Sequence, residues 1–272
     1  MKRLVLFAIP LLLAATPSRA QEASNPRNDT PIIDPSQSEA ASVLSARQKD
    51  EMRAEVLMAR KDYAEAVKAY SALLRSDPKN ARMLNQLGIA YQQLGDDGAA
   101  ERSYKNAARD DKKFASPVNN LGSLEYSRKH YGKAVKYYRK ALMIPDADRA
   151  VIYSNLGFAY FGEAHHAPAM AAFSEALAID PDIFARRGGA GSIVQQRSSE
   201  DQGTLYFLVA KSYAKAGDAE HAAHYLKVAR DDGYKNFVSA KTDPAFASVI
   251  KDRRVQEVFE IQPVFSSDEK KL

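Results

Sequence analysis

Residues 153–181 read YSNLGFAYFGEAHHAPAMAAFSEALAIDP. Two apolar patterns of helical period lie on either side of a polar break, and Asp180-Pro181 ends the second of them. Sliding the chain on itself finds this unit again upstream. A small residue recurs at Ala54, Gly88, Gly122 and Gly157, with steps of 34, 34 and 35. Ala66, Ala100, Ala134 and Ala169 move with it, as do the bulky Tyr70, Tyr104, Tyr138 and Phe173. Leu73, Ala107, Ala141 and Ala176 form a fourth column. Small residues at a fixed place let two antiparallel helices approach closely, and the aromatics fill the space between successive pairs.

The pattern Tyr153, Leu156, Gly157, Tyr160, Ala169, Phe173 and Pro181 resembles the tetratricopeptide repeat family. That resemblance implies an all-α fold, an α-α solenoid of helix-turn-helix repeats with capping helices at its C-terminal end. The units fall at 47–80, 81–114, 115–149 and 150–183, within a body starting near residue 40. The first has Asp50 and Arg53 where bulky apolar residues are expected, so its leading helix reads as a solvated N-terminal cap. The third has Glu125 in the column of Tyr91 and Tyr160. Residues 184–202, with Arg186, Arg187, Gly188, Gly189, Gly191 and Arg197, read as an insertion. A divergent fifth unit follows at 203–236, with Gly217-Asp218 as its inner turn. Asp243-Pro244 and Asp252 open short helices over 237–261 that would close the stack, and 262–272 reads as a frayed tail.

Ahead of the repeats, Lys2 and Arg3 precede an apolar run from Leu4 to Ala15, and Ser18-Arg19-Ala20 supplies a small-x-small cleavage pattern. This is the order of a secretory signal peptide over residues 1–20, whose apolar run of 12 residues is too short for a membrane span of about 20. It predicts an exported protein, periplasmic or secreted after cleavage near Ala20, touching the membrane only if the signal stays attached. Residues 21–39 read as a flexible, proline-bearing tether. Cleavage removes three basic residues and no acid, so the net charge falls from +5 to +2 and a nucleic-acid partner is not expected. The chain has no Cys, which excludes thiolate zinc sites, disulfides, Cys nucleophiles and a lipid-modified Cys.

In the family the first helix of each pair lines a concave groove that receives peptides. The matching positions here are Asn85, Gln86, Ile89 and Gln92; Asn119, Asn120, Ser123 and Tyr126; and Ser154, Asn155, Phe158 and Phe161. Gln86, Asn120 and Asn155 precede the Leu-Gly pair in successive units, which resembles the family's asparagine ladder for a peptide main chain. Phe158, Phe161 and Tyr126 would be apolar anchors. A plainer role for the asparagines, support of the inter-repeat turn or simple solvation, stays open. The family's basic clamp for a C-terminal carboxylate is not expected, since only Arg82 fits it and Glu51 and Glu55 oppose it.

A second surface is marked by charge. The third unit holds seven basic and three acidic residues, while the fourth holds four acids and no Lys or Arg. Lys133, Lys136 and Lys140 share one helix face by spacing, either a solvated surface or a docking site for an acidic protein or an anionic envelope polymer. His221 and His224 lie three apart but lack a third ligand, so no metal is expected. Gly188–Ser192 lacks the Lys-Ser/Thr of a phosphate loop. With no acid-base pair, nucleophile or cofactor motif, the sequence predicts a non-catalytic scaffold for a protein or peptide.

Overall fold

The computed structural model describes residues 35–185 and 199–260. By internal contacts the chain divides into Met1–Ser45 and Ala46–Leu272. Of the first unit, residues 35–45 are described, as helix. The expected signal lies outside the described residues, as do 21–34 of the expected tether. The remaining tether positions, 35–39, are helical instead, because α1 spans Pro35–Ala59. Proline is well suited to a first helical position, where its missing N–H would have no partner anyway.

Seven further α-helices follow before the break: α2 Tyr63–Ser76, α3 Ala81–Gln93, α4 Asp97–Asp110, α5 Ser116–Ser127, α6 Tyr131–Leu142, α7 Arg149–Gly162 and α8 His166–Ile179. After it come α9 Ser199–Lys215 and α10 Ala219–Asp231. Each pair from α3/α4 to α9/α10 packs as a hairpin, and the second helix of one hairpin packs on the first helix of the next. Among the described residues there is no strand. The architecture is therefore an α-α solenoid.

Sequence chemistry sets the boundaries. Asn80, Asp96, Asp148 and Asp218 accept hydrogen bonds from the backbone N–H three residues on, satisfying donors at the starts of α3, α4, α7 and α10. The turn inside each hairpin contains one left-handed residue at the same repeat position: Lys61, Gly95, Lys129, Ala164 and Gly217, with φ between 60° and 80°. Two units place glycine there, and three hold an L-residue in a conformation that glycine tolerates better.

The periodic columns meet inside each unit. A Cβ added at Gly88 would lie 2.5 Å from the Tyr104 ring, one at Gly122 2.6 Å from Tyr138, and one at Gly157 2.4 Å from Phe173. The aromatic thus seats on its own unit's glycine, not only between units. Tyr104, Tyr138 and Phe173 are fully buried. In the first unit Ala54 is buried while Asp50 and Arg53 are exposed, so α1 shows one face to the stack and one to solvent.

Two boundaries differ from the sequence reading. Phe184, assigned to the insertion, is a core residue, edge-on to Phe158, Phe173 and Tyr213. The turn after α8 carries it back between the fourth and fifth hairpins. At the other side α9 already begins at Ser199, and residues 186–198 lie outside the described residues. Beyond α10, two 3-10 helices (Phe237–Thr242 and Pro244–Phe246) and α11 (Arg253–Glu260) close the last hairpin. Phe246 packs on Phe207, Lys211 pairs with Asp243 at 2.7 Å, and the buried Arg230 donates to the Val258 carbonyl at 2.8 Å.

Candidate functional site

The first helices α3, α5 and α7 each contribute asparagine to one face, and there the amides find one another. Asn155 Nδ2 donates to Asn119 Oδ1 at 3.0 Å, Asn119 Nδ2 to Asn120 Oδ1 at 3.4 Å, and Asn120 Nδ2 to Asn85 Oδ1 at 2.9 Å. The chain of amides runs in one sense through three repeats. Spacing explains it: Asn120 and Asn155 stand one residue later in their units than Asn85 and Asn119 do in the preceding ones, so each reaches back across the inter-repeat seam. Every donating nitrogen keeps a second hydrogen, and each carbonyl a second lone pair. The floor is therefore bonded internally; Asn85, 5% exposed, is buried in it, and the half-buried Asn119, Asn120 and Asn155 are the amides left in reach of a ligand.

The remaining groove candidates sort by burial. Gln86 is half-buried, and its amide has no side-chain partner among the described residues, so it stands outside the chain of amides. Gln92 Oε1 accepts from the Tyr104 hydroxyl at 2.8 Å, and Ser123 Oγ from the Tyr138 hydroxyl at 3.2 Å. Burial raises both tyrosines well above the ordinary phenol value, which keeps them protonated as donors. Tyr126 is half-buried and edge-on to Tyr131. Ile89 is half-buried against the Tyr104 cluster, and Ser154 is buried.

Two expected anchors are corrected. Phe158 is 1% exposed and Phe161 6%, the former edge-on to Phe173 and the latter stacked on His166. Their repeat positions belong to the groove in register, but in the fourth unit bulky rings there turn inward and fill the core. Neither presents a surface to a ligand.

On the second helices, Lys133, Lys136 and Lys140 are exposed. Lys133 Nζ approaches Glu125 Oε2 at 3.7 Å, while Lys136 and Lys140 have no ion partner among the described residues. The structure also accounts for Glu125 in a tyrosine column. It is buried, takes Arg128 at 3.2 Å and His130 Nδ1 at 2.9 Å, and Arg128 in turn binds Glu101 at 2.8 Å and Asp97 at 3.3 Å. A carboxylate in that place needs such partners. Sequence reading found the substitution but not the arginine that balances it.

His221 Nδ1 lies 2.6 Å from Asp218 Oδ2 and its ring stacks on Tyr213, whereas His224 is exposed beside Tyr225. Among the described residues no group of three or more His, Cys, Asp or Glu is placed to hold a metal. None of the described helices is long and apolar enough to cross a membrane.

Stacked helix hairpins, a glycine-aromatic interlock in the second, third and fourth of them, and linked amides along the first helices define a helical repeat protein. Tetratricopeptide repeat models match residues 54–95, 85–150 and 150–183, so the helix hairpins over 54–183 are tetratricopeptide repeats. The chain is 27% identical over 94 residues to small glutamine-rich tetratricopeptide repeat-containing protein 2 of Mycosarcoma maydis, a match spanning 35% of this chain and 27% of that protein. Among solved structures it is similar to PilF of Pseudomonas aeruginosa, with TM-score 0.51, 20% identity, and coverage of 79% of this chain and 89% of that one. It is similar also to PilW, a type IV pilus biogenesis factor, with TM-score 0.52, 20% identity, and coverage of 79% and 98%.

Proposed function

We propose that the protein is an exported, non-catalytic scaffold that holds a protein or extended peptide on the face formed by its first helices. The observation that carries this reading is the run of linked asparagines, in which the half-buried Asn119, Asn120 and Asn155 keep bonding capacity beyond the amide-amide bonds that tie them to the buried Asn85. An extended main chain presents alternating donors and acceptors, which such a floor can meet without regard to side-chain sequence. Each bond contributes only about 1 kcal/mol net, so several in register are required. Export rests on the leader at residues 1–20.

The test is capture with tagged mature chain from a cell-envelope extract, beside an Asn120→Ala, Asn155→Ala variant whose folding is checked by thermal unfolding. Recovery of a defined partner by the parent, and its loss from a folded variant, supports the reading. Unchanged recovery by the variant sinks it. A second reading draws on Lys136 and Lys140, exposed and without an ion partner among the described residues: a convex docking face for an anionic envelope polymer. Exposed charges are screened by salt, so polymer retention that ignores salt rules that reading out.

A further inference from the structure

The amide floor changes character at its N-terminal end. Tyr138 follows Ser123 by the same interval that separates Tyr70 from Glu55, and Asn119 corresponds in the same way to Glu51. The first unit thus places two carboxylates where the second places Asn85 and Ile89 and the third Asn119 and Ser123. The tyrosine of that column is unusual as well. Tyr104 and Tyr138 give their hydroxyls to the first helix of their own unit, yet the Tyr70 hydroxyl, in a residue 3% exposed, is buried with no hydrogen-bond partner among the described residues. Burial and then the fields of Glu55 and Glu51 raise it to about 12, so it is a donor awaiting an acceptor. Glu55, at the register of Ser123, is exposed and makes no ion pair among the described residues, and at the register of Gln92 the first unit has Met58, which cannot take the hydroxyl as an amide does. Arg47 holds Oε1 of Glu51 at 2.9 Å while also binding Asp77 at 2.7 Å.

We propose that Glu51 and Glu55, with Tyr70 beneath them, form a subsite for a lysine or arginine side chain of the peptide lying on the amide floor. The inference rests on the groove reading above and names the chemistry of one ligand position. A cation arriving there draws Glu55 inward, and the Tyr70 hydroxyl donates to the carboxylate so placed, which makes Tyr70 a positioning residue. Covering the pair with a bound chain lowers the local dielectric and strengthens an attraction that is weak in open water. Two carboxylates and a phenol fall short of the six to eight oxygens that calcium takes, so an organic cation suits the set better than a metal ion.

The test uses the full chain and labelled decapeptides blocked at both ends, with a single Lys, Arg or norleucine walked along an otherwise Ser/Ala sequence, followed by fluorescence anisotropy. At low salt the best Lys and Arg peptides bind about fivefold more tightly than their norleucine counterparts. Glu55→Gln brings that ratio to about one, and Tyr70→Phe lowers it, while neither moves the affinity for the norleucine peptide. Equal affinities in the parent, or a ratio that survives Glu55→Gln, overturn the subsite. A ratio unchanged in Tyr70→Phe overturns the part given to Tyr70. If norleucine peptides bind and lose affinity in Asn120→Ala, Asn155→Ala while no charge preference exists, the groove stands and the subsite falls. If no peptide binds, both fall.

Discussion

The side-chain amide of Asn120 donates to that of Asn85 at 2.9 Å, joining α5 to α3 across 35 residues of chain. With its counterpart from Asn155 to Asn119, it staples the second, third and fourth units along one face. Neither the first nor the fifth unit carries asparagine at these positions: Glu51 stands in one, and Phe207 and Leu208 in the other.

The staple is measurable apart from any ligand. Asn85→Ala and Asn120→Ala each destabilise the chain by about 1 kcal/mol, and the double variant by less than their sum. Urea unfolding of the parent, the two singles and the double gives the coupling. Strict additivity would mean that the two amides do not support each other.

Glycine in these helices has opposite meanings at two places. Gly157→Ala puts a methyl 2.4 Å from the Phe173 ring, both fully packed, and costs about 1–3 kcal/mol despite alanine's higher helix propensity. Gly98→Ala, in the first turn of α4 with its nearest neighbours at 3.6 Å, gains about 0.5 kcal/mol. Thermal unfolding of the two variants should move in opposite directions.

The inner turns offer a gain of another kind. Ala164 and Lys129 hold φ near 60°, where Gly95 and Gly217 stand in other units. Ala164→Gly and Lys129→Gly relieve that backbone and stabilise the chain by about 0.5–1 kcal/mol, even though glycine loosens the unfolded state. The reverse change, Gly95→Ala, costs a similar amount, about 1 kcal/mol, with no steric clash to blame. Chemical denaturation of the three variants checks the ordering.

Acid should loosen the N-terminal end. Hydrogen bonds from Arg47 and then from Asn80 hold the Asp77 carboxyl below its ordinary value. A carboxyl lowered in the folded chain adds stability above its unfolded pKa, and that contribution disappears as pH falls through the folded value. The difference in melting temperature between the parent and Asp77→Asn is therefore largest near neutral pH and shrinks toward zero below about pH 4. A difference that stays constant down to about pH 3 would contradict this linkage.

Much of the fold is legible in the chain because its determinants are local or periodic. Gly88 stands sixteen residues before Tyr104, the same spacing separates Gly122 from Tyr138 and Gly157 from Phe173, and spacing survives without coordinates. Phe184 was not legible in this way. It follows Asp180-Pro181, where the repeat register stops, and only its placement between two hairpins shows that it belongs to the core. Phe158 and Phe161 mislead for the converse reason: their register is that of the groove, but register does not say which way a bulky ring turns when the interior has room for it.

Composition and periodicity alone determined the repeat, its helical class, the absence of cysteine chemistry and the set of positions along the first helices. Those depend on what each residue is and how far along the chain it stands. Which amides pair, which tyrosine hydroxyl goes without a partner and how Glu125 is balanced depended on tertiary structure. Each is a contact between residues in different helices or different repeats, and a separation of 35 residues along the chain becomes a 2.9 Å hydrogen bond only when the hairpins have stacked.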